Sequence, residues 1–377
     1  MATKRLEARS RGRLFAALLF AALLLWAGLF SGCSAAGSGG SGAAAVPVLT
    51  PCASCSNTRI SSHAVVWTGM DASVKNQIAL AASASHAGMI RVDLSWDVIQ
   101  PSAPPAPYQW QEMDETLAAA KKYGLEVVPV IYELPSWASS NPSDPGYRFF
   151  PPGAQGWNSW PAFISDVVNR YKGDIHYWEV WGEANTPQMW KGTPQEYAHL
   201  FSIAYDQIKK EDPTATVLMA GMTEYNQPGW LNAVLNDPSY PAQGKIDIID
   251  VHTYGSFDTI KQLVAGWNQL FSADGVTGKK LWITEFSFPA APAFQQQWDT
   301  NFIGISAADG EQKQSDFYNA VIPWMFTQGG VDRVFVALRD LPDPGTPWAS
   351  SGILDVNAEI PKAGFYTIQQ LSDEFRS

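Results

Sequence analysis

The chain has 377 residues, 46% of them hydrophobic, with 25 Lys and Arg against 36 Asp and Glu, a formal charge of −11. That apolar fraction excludes a disordered chain, and the acidic balance argues against a nucleic-acid binder, which needs clustered Lys and Arg for phosphate. The length admits two ordinary domains or one large α/β barrel, and the 16 Trp exceed what a core usually requires.

The N-terminus carries Lys4, Arg5, Arg9, Arg11 and Arg13, then an uncharged apolar run over residues 14–30, then Phe30, Ser31, Gly32 and Cys33. This pattern over residues 1–33 resembles a bacterial lipoprotein export signal, in which Cys33 becomes the lipid-bearing first residue. An uncleaved anchor helix and ordinary secretion are the alternatives. All three export the folded part, to the cell surface or beyond, with the membrane met through the N-terminal segment. Removing residues 1–32 takes away five basic residues and one acidic one, which leaves a charge of −15. Such a surface repels polyanions. Residues 34–58 are rich in Ala, Gly and Ser and read as a tether. They contain Cys52 and Cys55 in a CxxC, expected as a small local disulfide, with an active dithiol as the other reading.

Residues 59–377 alternate short β-rich runs with helical patterns. The predicted strands are 63–69, 89–96, 125–132, 175–183, 216–222, 246–254, 279–286 and 331–339. In the third helical stretch Trp160, Phe163, Ile164, Val167, Val168 and Tyr171 share a face. In the fourth Tyr197, Leu200, Phe201, Ala204, Tyr205 and Ile208 do so, behind an N-cap Thr193, Pro194 and the capping-box Glu196. Helix-to-strand turns are short, and strand-to-helix loops such as 97–109 and 133–156 are long. Eight βα units predict an α/β fold, a single (β/α)8 TIM barrel, with its site on the face built by the long loops. A doubly wound sheet would need a Gly-rich phosphate turn after its first strand, and none is present.

Glu183 ends the fourth strand and Glu285 the seventh. Alternation puts Glu179, Trp181 and Glu183 on one face, and Leu281, Ile283 and Glu285 on another. Both glutamates are therefore expected to point inward at the open end of the barrel. Two carboxylates facing each other there suit glycosidic cleavage, one donating a proton and the other attacking the anomeric carbon. WEVWGEAN and WITEFS, with RVDLSWDVIQPS, VIYELPSWAS and DVHTY in order along residues 60–375, resemble the (β/α)8 clan of retaining glycoside hydrolases that includes families 5 and 39. The resemblance implies Glu183 as acid/base and Glu285 as nucleophile. It departs at Gly182, where the clan carries an Asn that bonds the sugar 2-hydroxyl, and at Ala184, where the clan often has Pro. Asn185 is a candidate to substitute for that missing amide.

Arg91, Asp93 and Glu179 are expected to form a buried network that orients the catalytic pair, with Arg91 placed to keep Glu285 ionised. By the same resemblance Tyr254 bonds the nucleophile and His252 contacts substrate. Sugar rings stack on aromatic planes, and Trp96, Trp137, Trp190, Trp298 and Trp348, with Tyr132, fall on the open face. They suggest subsites for an oligo- or polysaccharide. No pair among His63, His86, His176, His199 and His252 has metal-ligand spacing, so no metal and no cofactor are expected. The expected function is a retaining glycosidase acting on β-linked sugars. A carbohydrate-binding lipoprotein on an inactivated barrel and a transglycosylase are the rivals. The oligomeric state is left open.

Overall fold

A computed structural model describes residues 47–66, 69–223, 228–298 and 310–376. The export segment with Cys33, and the tether as far as residue 46, lie outside the described residues. The chain divides into two units. One comprises residues 47–142 and 146–377; of the other, residues 1–46 with 143–145, only the turn at 143–145 is described.

The larger unit is a closed parallel barrel in the order β1 to β8. Its strands are β1 (Ile60–His63), β2 (Met89–Ser95), β3 (Glu126–Tyr132), β4 (Tyr177–Gly182), β5 (Thr216–Gly221), β6 (Ile248–Thr253), β7 (Lys280–Phe286) and β8 (Val331–Ala337). Between and after them run α1 (Ala72–Ala84), α2 (Trp96–Ile99), α3 (Gln111–Lys122), α4 (Ala154–Tyr171) and α5 (Pro194–Glu211). They continue as α6 (Pro228–Leu235), α7 (Phe257–Ala273), α8 (Pro292–Trp298), α9 (Gly310–Thr327) and α10 (Ala363–Glu374). The single (β/α)8 barrel expected from the strand-helix alternation is the fold observed.

Both faces of a parallel barrel strand are covered, which is why these strands are rich in Val, Ile and Leu. Outward residues pack beneath the helices in one large cluster that includes Trp160, Phe163, Tyr197 and Phe201. Inward residues Met89, Val128, Leu218, Ile248, Trp282 and Phe335 fill the lower barrel as a separate cluster. On β2, β4 and β6 the next inward position toward the strand C-terminus carries charge, namely Arg91, Glu179 and Asp250. The apolar plug thus forms a floor on which the polar site is built. Helix α5 starts as its sequence dictates. Thr193 accepts from the Glu196 amide, and Glu196 accepts from the Thr193 amide.

Two expectations are corrected. The first strand is Ile60–His63, not 63–69. Ile60 pairs with Val334 and His63 with both Ala337 and Arg91. The apolar residues Val65 and Val66 follow the strand instead of forming it. Second, the end of the tether is docked on the barrel. Thr58 is fully buried and donates through Oγ1 to the Ser372 carbonyl at 3.0 Å. Cys52 and Cys55 form a disulfide.

Candidate active site

The two glutamates reach the barrel mouth through irregular backbone, not through simple alternation. On β4, Trp181 adopts φ +72° and turns against Trp190, donating Nε1–H to the Met189 carbonyl. Gly182 takes the inward place, where a methyl group would lie 3.8 Å from Arg91 Nη2 and 3.9 Å from Val130 Cγ1. Glu183 follows at φ +46°, its amide bonded to the Gly221 carbonyl at 3.1 Å. On β7, Leu281 and Ile283 face outward and Trp282 inward, the reverse of the expected faces. Register shifts against β8 between Ile283 and Phe286, and against β6 between Val251 and His252, then bring Glu285 beside His252. Bulges of this kind commonly re-aim a side chain next to an active site.

The resulting constellation is compact. Glu285 Oε1 accepts from Arg91 Nη1 at 2.8 Å, and Oε2 accepts from the Tyr254 hydroxyl at 2.6 Å. His252 Nδ1 lies 2.9 Å from Glu183 Oε1 and 3.6 Å from Glu285 Oε2. His63 Nε2 lies 3.7 Å from Glu285 Oε1. Donor atoms of Glu183, His252 and Glu285 all fall within 4.8 Å of one another. That spacing also suits a cation. Arg91 and Tyr254, however, already bond both oxygens of Glu285. The two carboxyl side chains stay open to solvent, Glu183 at 26% and Glu285 at 19% exposure.

Below them Arg91 grips Glu179 with Nε at 2.6 Å and Nη2 at 2.7 Å. A buried charge needs such pairing, and a planar guanidinium suits two carboxylates at once. Burial alone would raise the Glu285 carboxyl, but the charges of His252, His63 and Arg91 and the Tyr254 bond outweigh it and hold it well below the usual carboxylate range. Burial pushes His63 down to about 4, so this ring is neutral at neutral pH and Arg91 is the permanent cation. Burial, with the charges of Glu285 and Glu183, lifts the Tyr254 phenol well above its ordinary value, which keeps it a donor. Burial and the Glu133 charge raise Asp93 to about 7. Burial and the Glu179 charge raise Asp250, whose Oδ1 accepts from Thr284, well above the carboxylate range.

The structure thus brings together Arg91, Glu183, His252, Tyr254 and Glu285, with Glu179 and Asp93 around them. Others are placed differently. His252 is buried between the carboxylates, and its ring lies so close over Gly221 that a methyl there would sit 2.1 Å from Nε2. Asn185 is buried and spends its amide on the Thr223 backbone, accepting at 3.2 Å and donating to the carbonyl. It therefore does not replace the missing Asn. Trp96 is 0% exposed against Trp137, Trp160 and Phe163, and Trp190 is 3% exposed between Trp181 and Tyr197. Both are core residues and offer no stacking face. Trp137, Tyr132 and Trp348 remain partly exposed, and Trp348 packs edge-on to Tyr254 at 4.9 Å. The Trp298 side chain lies outside the described residues. His63 was not anticipated at the site. A first strand read as 60–63 would have placed it at the strand end.

Residues 106–360 match the model of the glycosyl hydrolase catalytic core family. No curated protein matches the chain in sequence. Among solved structures it is similar to a family 39 glycoside hydrolase from the gut symbiont Bacteroides cellulosilyticus WH2, at 17% identity and TM-score 0.62, covering 88% of this chain and 66% of that one. It is similar to an exo-beta-1,4-mannosidase from Opitutaceae bacterium strain TAV5, at 14% identity and TM-score 0.58, covering 84% and 59%. It is also similar to the GH5_18 protein of Streptomyces cattleya, solved in complex with GlcNAc, at 14% identity and TM-score 0.63, covering 84% and 81%. The chain spans 66% and 59% of the length of the first two of these. At such identities the likeness is one of fold. The family match, over most of the barrel and both strand-end glutamates, carries the assignment: the chain belongs to the glycosyl hydrolase catalytic core family.

Proposed function

We propose that the protein is a retaining glycoside hydrolase that cleaves β-linked oligo- or polysaccharides by double displacement. The observation that carries this reading is the proximity of Glu183 and Glu285, with carboxylate oxygens within 4.8 Å. Retaining enzymes hold their carboxyls about 5–5.5 Å apart, while inverting ones need about 6.5–9.5 Å to admit a water. Glu285, ionised and fixed by Arg91 and Tyr254, attacks the anomeric carbon and forms a glycosyl ester. Glu183 protonates the leaving oxygen as the glycosidic bond breaks. Glu183 then takes a proton from water, the oxygen of that water bonds to the anomeric carbon as its bond to Glu285 breaks, and the Glu285 carboxylate is released. His252 orients both carboxylates through one ring nitrogen. The partly exposed rings of Tyr132, Trp137 and Trp348 are suited to stacking on sugars. The N-terminal segment supports placing the barrel outside the cytoplasm, held to a membrane or secreted.

The test is a panel of polysaccharides and aryl β-glycosides, with anomers followed by NMR and Glu285 examined by mass spectrometry after a 2-fluoro sugar trap. The first-formed product should be the β-anomer, and the adduct should sit on Glu285. Glu285→Gln should abolish turnover. Glu183→Gln should slow poor leaving groups by about 10²–10⁴-fold while sparing activated aryl glycosides, which leave without a proton. An α-anomer as first product, or no cleavage and no adduct across the panel, rejects the proposal.

A further inference from the structure

The barrel carries a second chemical cluster at its opposite end, among the helix-to-strand turns. Cys52 and Cys55 precede β1, His86 lies in the turn from α1 to β2, and Asp373 closes α10. Both sulfurs and a ring nitrogen of His86 fall within 4.8 Å of one another. His86 Nδ1 lies 3.0 Å from Asp373 Oδ1. A histidine whose one ring nitrogen is engaged by a carboxylate presents the other as a metal donor, a pairing found around most metal-bound imidazoles. His86 also holds φ +64°, a conformation that glycine usually fills at a helix end.

The geometry points to a binding site for a thiophilic divalent cation of the zinc class, formed by Cys52, Cys55 and His86 when the disulfide is reduced. Two thiolates and an imidazole are a zinc donor set, leaving one position for water. Zinc–sulfur bonds of about 2.3 Å in a tetrahedron put the sulfurs about 3.8 Å apart, so opening the disulfide supplies the separation required. The loop is held independently of that bond. The Cys52 amide donates to the Ser83 carbonyl and hydroxyl at 3.3 and 3.2 Å, and Arg376 Nη1 donates to the Ser54 carbonyl at 3.1 Å. The Thr58 amide donates to the Cys55 carbonyl at 3.3 Å. These contacts keep both cysteines beside His86 after reduction. An external dithiol supplies two electrons and two protons, becoming a disulfide itself, and yields Cys52 and Cys55 thiols. The cation then displaces both thiol protons. Chain spacing alone does not join His86 to the CxxC, because they are brought together by packing around the end of α1.

The full chain, reduced with dithiothreitol and freed of it anaerobically, is titrated with Zn²⁺ for stoichiometry and with Co²⁺ for the thiolate charge-transfer band. One cation per chain is expected in the reduced form and none in the oxidised form, which serves as a folded control. The double variant Cys52→Ser with Cys55→Ser should lose binding and the near-ultraviolet band. Asp373→Asn should weaken binding by about 10–100-fold, as loss of a metal histidine's partner does. Circular dichroism checks that each variant folds. A disulfide that resists reduction in the folded chain, a reduced chain that binds no cation, or equal binding by the double serine variant overturns the proposal.

Discussion

At Gly182 the backbone is not left-handed, and a Cβ there would meet only ordinary contacts, at 3.8 and 3.9 Å. Neither conformation nor crowding therefore demands glycine at this position, unlike Gly221, where the His252 ring leaves no room for a methyl. The glycine keeps space open beside Arg91 and next to Glu183. Gly182→Asn should fold normally, with stability unchanged or up to about 1 kcal/mol higher, because glycine within a strand is itself costly. An amide placed there adds the 2-hydroxyl bond that the clan resemblance implies. The expected outcome is a higher kcat/KM on glycosides with a free 2-hydroxyl and little change on 2-deoxy analogues. A loss on both substrates would mean that the open space is itself a substrate position.

At the scale of elements, α5 is the clamp for the strand that leads into Glu183. The Tyr197 hydroxyl donates to the Val180 carbonyl and accepts from the Ala220 amide, both at 2.9 Å, joining β4 to β5 from outside. Tyr197→Phe removes both of these bonds at a fully buried position. It should cost about 1–3 kcal/mol in chemical denaturation, with β4 shifted enough to lower turnover. Helix α5 itself was legible from sequence, because Thr193, Pro194, Glu196 and the apolar spacing are local signals. The placement of Glu183 and Glu285 was legible only in outcome. Alternation predicted them inward together with Trp181, Leu281 and Ile283, yet those three residues pack outward and the glutamates arrive by left-handed residues and bulges. Strand-end irregularity depends on the neighbouring strand's register, which the local sequence does not encode. The same limit explains Trp96, Trp190 and Asn185, whose burial is decided by α4, α5 and the Thr223 backbone.

Across the whole barrel, one permanent cation, Arg91, sits among Glu179, Asp250, Glu285 and Asp93, and the balance is struck by groups displaced from their ordinary titration range. His63 is pushed from 6.5 down to about 4, so between those values the unfolded chain binds a proton that the folded chain refuses, and stability rises with pH. Asp93 is raised from 3.8 to about 7, so across that window the folded chain keeps a proton that the unfolded chain releases, and stability falls with pH. The full shifts correspond to about 3 kcal/mol for His63 and about 4 kcal/mol for Asp93. They oppose each other below the ordinary His63 value, and Asp93 acts alone just above it. Wild-type denaturation midpoints should therefore change little from these two groups through the acid range. His63→Gln removes the rising contribution, so its stability should fall steadily toward neutral pH. Asp93→Asn removes the falling one, so its stability should climb over the same interval. Three parallel pH profiles would show that neither group is held out of its ordinary range. Diverging profiles mean that the site offsets the cost of a neutral histidine against that of a protonated aspartate, leaving Arg91 free to hold Glu285 ionised.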